Sequence, residues 1–146
     1  MERFCPMKRV SFYLPAPPST NGLFRNVRGR GRVRTAEYND FIAYGLSAIS
    51  QQKPEPVKGY VVLSIGVERR SKRADIDNHV KALLDVIVKA GVLEDDRFVT
   101  AIAVSWLPPA EGLAHVAIYP VQHMNLYFQP SADGATGCFY TRFLTS

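Results

Sequence analysis

Arg73-Ala74-Asp75-Ile76-Asp77-Asn78-His79-Val80-Lys81 runs on through Ala82-Leu83-Leu84-Asp85-Val86-Ile87-Val88-Lys89-Ala90-Gly91 and closes on Val92-Leu93-Glu94-Asp95-Asp96. Five aspartates and one glutamate fall within these last 22 positions, with an apolar pattern between two acidic ends. Val80, Leu83, Leu84, Ile87 and Val88 recur at spacings of three and four, the stripe of an amphipathic helix, and Gly91 supplies a left-handed stop just past Ala90. Asp77 fits the N-cap, where a carboxylate accepts from unpaired backbone N–H groups, and Lys81 follows one turn later on the same side. Asp75 and Asp77 are two apart, so on an extended segment their side chains share one side. A helix of about 13 residues spans roughly 20 Å, and only a fold-back after Gly91 can bring Glu94, Asp95 and Asp96 to the first pair.

Converging carboxylates repel and raise one another's proton affinity unless a cation lies between them. Hard oxygen ligands of this kind suit Mg²⁺, with Mn²⁺ as the alternative, completed by waters and a substrate phosphate. A lysine beside them matches a phosphate oxygen or a developing negative charge. Asp85 lies two turns beyond Asp77 and either joins the site or pairs with Lys81 or Lys89. Asn78 fixes the turn or contacts DNA. His79 is a poorer Mg²⁺ ligand than a carboxylate and is expected to meet solvent or phosphate.

The distribution of charge points to a polyanion. Arg25, Arg28, Arg30, Arg32 and Arg34 place five bases in ten positions, and Arg69, Arg70, Lys72 and Arg73 place four in five. The remaining nine bases face 13 acids, so the rest of the chain is net −4 while the whole is +5. Bases concentrated beside a carboxylate pair predict contact with the DNA backbone. Segment 26–34, with its two glycines, is expected to be a mobile basic loop, a solubilising hairpin being the alternative. A glycoside hydrolase would also use paired carboxylates, but clustered arginines match phosphate and not a neutral sugar.

At 146 residues and 47% hydrophobic, the chain has the composition of one globular domain. Its start lacks an apolar signal core and it has no 18-residue apolar run, so a cytoplasmic location with no membrane association is expected. Cys5 and Cys138 make neither a disulfide framework nor a metal cluster.

Around the acidic core, Arg9–Leu14 predicts a first strand and Thr35 caps a helix carrying Tyr38, Phe41, Ile42, Gly45, Leu46 and Ile49, with Gly45 allowing close packing. Val57–Val67 and Phe98–Leu107 are strand-like, Trp106 being assigned to the core. Glu111-Gly112 is a turn into a returning strand, Leu113–Tyr119, antiparallel to its predecessor. The fold class is α+β, a two-layer mixed β-sheet with packed helices in the order β-α-β-α-β-β, over residues 1–120. Residues 121–146 form a C-terminal extension with two charged residues and several aromatics, expected to pack on the body or on a dimer partner, and 131–137 looks like a flexible link.

On Asp75-Ile76-Asp77-Asn78, Lys81, Leu84-Asp85, Gly91-Val92, Glu94-Asp95-Asp96 and Val99, with Pro17-Pro18-Ser19-Thr20-Asn21 near the start, the chain resembles the RusA family of Holliday-junction resolvases over roughly residues 9 to 120. These are small Mg²⁺-dependent endodeoxyribonucleases common in phages and prophages. The resemblance implies that Asp75, Asp77 and Asp96 hold metal, that Lys81 contacts the scissile phosphate, and that Asp95 assists. It also implies a homodimer making paired, symmetric cuts in a four-way junction. The chain departs from the family pattern at Arg73 and Ala74, where relatives place an aromatic and a basic residue. A nuclease for other branched or flap DNA, and a junction-binding protein that does not cut, are the competing expectations.

Overall fold

The computed structural model describes residues 9–143. Cys5 and the charged start of the chain lie outside them. Four strands form the central sheet: β1 (Val10–Pro15), β4 (Val61–Glu68), β5 (Val99–Leu107) and β6 (Leu113–Pro120), in the order β1-β6-β4-β5. β4 and β5 are parallel, which requires a crossover between them, and α2 (Val80–Lys89) supplies it. The remaining pairs are antiparallel. β6 does run against β5, as expected, but it is not β5's neighbour: β4 lies between them. A strand as apolar as β4, buried along both faces, takes the centre and leaves β5 at the edge.

The helices cover one face of this sheet. Thr35 caps α1 (Ala36–Gln52), its hydroxyl accepting from the Tyr38 N–H at 3.1 Å and donating to the Gly22 carbonyl at 2.6 Å. α1 packs directly on α2 at Gly45, where an added Cβ would come within 2.8 Å of Val86 Cγ1. The buried face of α2 is Ala82, Leu83, Val86 and Ile87, whereas Val80, Leu84 and Val88 of the predicted stripe are only partly buried. Contact with both the sheet and α1 rotates the helix from the orientation its most apolar residues alone would choose. With Phe12, Leu14, Leu63, Ile65, Val116 and Ile118 these side chains make the main core.

Two hairpins refine the sequence expectations. The arginine segment is not a loop: β2 (Phe24–Val27) and β3 (Gly31–Arg34) pair antiparallel, with Gly29 at φ 79° making the turn. Cross-strand pairing and the Arg32 guanidinium over the Phe24 ring, 4.4 Å from its centroid, provide the order that composition does not reveal. At the other end, β7 (Met124–Pro130) and β8 (Gly137–Phe143) form a hairpin on the face of the sheet opposite the helices. Ser105 Oγ donates to the Gly137 carbonyl at 3.0 Å, the Tyr119 and Thr141 hydroxyls lie 2.9 Å apart, and Met124 packs on Val62, Ala117 and Tyr119. The connection 131–136 is an ordered turn and not a flexible link. Asp133 accepts from the Ser131 hydroxyl and the Ala135 N–H, and Ser131 N–H donates to the Thr136 carbonyl.

Candidate active site

The approach to the acidic stretch is built by β4 and the bend after it. Glu68, the last residue of β4, is buried, and its carboxylate accepts from the backbone N–H groups of Ala110, Glu111, Gly112 and Leu113, the last three at 2.7–2.9 Å. Burial by itself would push its pKa up, but these four donors outweigh that and hold it below the usual glutamate value. Arg69 then folds back, donating to the carbonyls of Ser71 (3.1 Å), Lys72 (2.8 Å) and Ala74 (3.4 Å) with its guanidinium over the Trp106 ring. Of the second basic run, Arg70, Lys72 and Arg73 are therefore the exposed members, and Arg69 shapes the loop that delivers Asp75.

Asp77 sits in a 3-10 turn, Ile76–His79, that precedes α2, and Asp75 is the extended N-cap residue just before it. Asp77 is not the N-cap of the helix. That place falls to His79, with no side-chain cap bond, because the chain makes one tighter turn before settling into α2. His79, expected at the solvent, is buried, and its Nδ1 lies 3.0 Å from the Asp75 carbonyl. A carbonyl only accepts, so Nδ1 carries the proton and donates. The imidazole also meets Trp106 edge-on, ring centroids 5.3 Å apart. Trp106 packs against the core but is only partly buried. With its own backbone held by His79, the acidic turn leaves both carboxylates exposed.

The fold-back after Gly91 (φ 78°) brings the second acidic end to the middle of α2. Glu94 stays out of the site, accepting from the Gly59 N–H at 3.2 Å. Asp95 and Asp96, at the start of a 3-10 turn running to Phe98, open onto a cleft of about 450 Å³ shared with Arg34, Tyr38, Lys81 and Asp85. Lys81 Nζ is 3.8 Å from Asp85 Oδ2, and the buried Tyr38 hydroxyl donates to the same oxygen. Burial first, and the bond to Asp85 second, raise the Tyr38 pKa far above its ordinary value, so the phenol stays a donor. Asp85 thus orients Lys81.

Asp95 and Asp96 share a hydrogen bond and divide its electrostatics unequally. The Arg97 N–H at 3.1 Å, then the bond to Asp96, pull the Asp95 pKa down. The bond to Asp95, some loss of solvation and the charges of Asp95 and Asp85 raise that of Asp96, with Lys81 opposing. A carboxylate that ionises against its neighbours is one a cation stabilises.

Of the predicted site residues, the structure brings Lys81, Asp85, Asp95, Asp96 and Arg34 to one cleft, while Asp75, Asp77 and Asn78 lie on the turn entering the same helix. Among the described residues no three carboxylate, imidazole or thiol groups are arranged to hold a metal ion. The donor set nevertheless suits Mg²⁺, which takes one or two carboxylates and fills its shell with waters and substrate phosphate. Arg32 and Arg34 share one face of the β2–β3 hairpin and Arg25 the other, with Arg28 and Arg30 at its tip. Tyr38 and Glu68 are absent from the sequence reading of the site. The one signal for Tyr38 is that a hydroxyl on a helix face otherwise read as apolar needs a partner when buried.

A profile of the family described as "Endodeoxyribonuclease RusA" matches residues 15–119. The chain is 34% identical over 111 residues to the crossover junction endodeoxyribonuclease RusA of Escherichia coli O139:H28 (strain E24377A / ETEC), covering 73% of this chain and 89% of that one. The same identity and coverage hold for the protein of that name from Escherichia coli (strain K12). With the crossover junction endodeoxyribonuclease of Enterobacteria phage 82 the identity is 33% over 111 residues, at the same coverage.

Proposed function

The chain belongs to the RusA family of endodeoxyribonucleases, and from that premise we propose that it resolves Holliday junctions by paired hydrolysis of DNA phosphodiesters. The observation that carries the reading to particular residues is the cleft in which Lys81, Asp85 and Asp96 meet beside the arginine hairpin. Arg25, Arg28, Arg30, Arg32 and Arg34 on one side, and Arg70, Lys72 and Arg73 on the other, bind backbone phosphates and set the DNA across α2.

Asp75, Asp77 and Asp96 are the carboxylates that would hold Mg²⁺, or Mn²⁺ in its place, one or two of them directly and the rest through its waters. When bound, the ion supplies an activated water and neutralises charge on the phosphate. Lys81 faces the scissile phosphate and stabilises the charge that develops on it, held in place by Asp85 and Tyr38. Water attacks phosphorus directly and the bond to the 3′-oxygen breaks, leaving a 3′-hydroxyl and a 5′-phosphate with no covalent enzyme intermediate. The active species is a homodimer, because an isologous pair presents two sites to the two-fold axis of a four-way junction. A DNA substrate agrees with the expected cytoplasmic location, and among the described residues no helix is long and apolar enough to cross a membrane.

The test is cleavage of a mobile four-way junction beside matched flap and linear duplex DNA, in Mg²⁺ and in EDTA, by wild type and Asp77→Asn. Symmetric paired nicks in the junction, abolished by EDTA and by the substitution, are expected. Preferential cutting of the flap would reassign the substrate, and tight junction binding without any divalent-dependent cut would leave a DNA-binding protein.

A further inference from the structure

A second cavity, of about 260 Å³, opens where the C-terminal hairpin meets the acidic turn, with Ile76, Trp106, Phe128, Thr136, Gly137 and Phe139 among its walls. We propose that it receives one unstacked nucleobase at the branch point of the DNA, next to the phosphate that Asp75 and Asp77 serve. The proposal rests on the nuclease reading and adds to it a device for selecting branched over linear DNA.

Position is the first argument. Ile76 lines the cavity and stands between Asp75 and Asp77 in the chain, so the cavity opens beside the turn that carries both residues. The aromatic walls are the second. Phe128 is 51% exposed although its ring lies beside Phe139, centroids 5.1 Å apart at 48°. It crosses Gly137, where an added Cβ would come 2.5 Å from the ring, so the absence of a side chain there seats one part of the ring and leaves the rest open. Trp106 is held by the Arg69 guanidinium at 5.3 Å and by His79 at the same centroid distance. The walls are also built firmly, through the bond from Ser105 to Gly137 and the Asp133 turn.

Charge selects the occupant. The cavity lining is without charged side chains, while Arg70, Lys72 and Arg73 stand exposed on the loop leading to it. A flat apolar ring carried on a polyanion matches that arrangement; an apolar segment of protein has no use for the bases. Stacking on aromatic side chains accepts any base. Removing a base from a duplex costs a few kcal/mol, and least where pairing is already broken, so such a pocket favours a branch point over linear duplex. The hairpin that closes it lies beyond the residues 15–119 matched by the family profile, so this selectivity is built on the family core and not within it.

The experiment places 2-aminopurine at each branch-point position of a four-way junction and follows its fluorescence on binding in EDTA, where no cutting occurs. Wild type, Phe128→Ala and Ala135→Trp are compared, the last filling the cavity from an exposed position. Wild type is expected to raise fluorescence at one position. Phe128→Ala should weaken junction binding about tenfold while leaving linear duplex binding unchanged, and Ala135→Trp should abolish the fluorescence rise. Thermal melts followed by circular dichroism check that both variants fold, and either suffices. A silent probe at every position of a tightly bound junction overturns the proposal, as does wild-type behaviour in both variants. So does a change of subunit stoichiometry with the probe unaffected, which would make the cavity a contact between copies. Failure of wild type to bind or cut the junction would instead sink the nuclease reading, and this proposal with it.

Discussion

Glu68 and Asp96 stand at opposite ends of the crossover unit, one closing β4 and the other just before β5, and their surroundings are reversed. Glu68 is buried among four backbone donors and held ionised. Asp96 faces two other carboxylates and resists ionisation, with Lys81 as the opposing cation. The first arrangement is complete without a ligand, and the second is relieved by one. That difference separates an acid that builds the fold from the acid we assign to the chemistry, and composition shows no trace of it.

The contrast breaks most visibly at Asp96. Asp96→Asn is expected to lower junction cleavage about 10³-fold while leaving the melting temperature equal or higher, since a like-charge contact disappears. The sign of its pH dependence follows from the raised pKa. The favourable protonated pair is fully present below the unfolded-state pKa and lost as pH rises through the folded value. Added Mg²⁺ should therefore raise the wild-type melting temperature at neutral pH, less so in acid, and not at all in Asp96→Asn. Differential scanning fluorimetry across pH and Mg²⁺ checks both statements.

Glu68→Ala should do the reverse. It strands buried N–H groups and costs about 2–3 kcal/mol, a fall of roughly 5–10 °C in melting temperature, with cleavage per folded molecule retained. Because the folded pKa of Glu68 is depressed, its contribution is present above the unfolded-state value, roughly 4.3, and disappears as pH falls through the folded value. Wild type and Glu68→Gln should accordingly converge in acid-denaturation curves at low pH.

Smaller effects sharpen the boundary between the two roles. Tyr38→Phe removes the donor to Asp85 at a cost of about 1 kcal/mol, and is expected to slow turnover several-fold with little change in KM, because it loosens Lys81 and not the DNA contacts. Arg28→Ala and Arg30→Ala should weaken junction and duplex binding alike, each lowering the slope of log affinity against log salt by about one.

How much of this was legible in the sequence follows from the range of each interaction. The Thr35 cap, the Gly91 stop and the order of strands and helices in the central sheet are local or periodic signals, and they are present in the structure. The expected close approach at Gly45 is realised too, though its partner Val86 was not identifiable from one sequence. The arginine segment takes the hairpin alternative over the mobile loop because its order comes from a cross-strand pair and a guanidinium on Phe24, neither of which composition encodes. Asp77 was misplaced at the helix start because Asp75-Ile76-Asp77 gives no local sign of the extra turn stabilised by His79. The grouping of Asp85 with Tyr38 joins positions 47 apart, and that of Glu68 with Leu113 joins positions 45 apart. Such pairings exist only once the sheet has closed.

The measurement that bears most directly on the central claim, that the two acidic ends of α2 serve one metal-dependent site, is anomalous diffraction from crystals soaked in Mn²⁺. A peak within about 2.0–2.2 Å of carboxylate oxygens from the Asp75–Asp77 turn and from Asp96, lost in Asp96→Asn, is the expected result. Mn²⁺ bound elsewhere, with these carboxylates bare in a preparation that cleaves junctions in Mn²⁺, would contradict it.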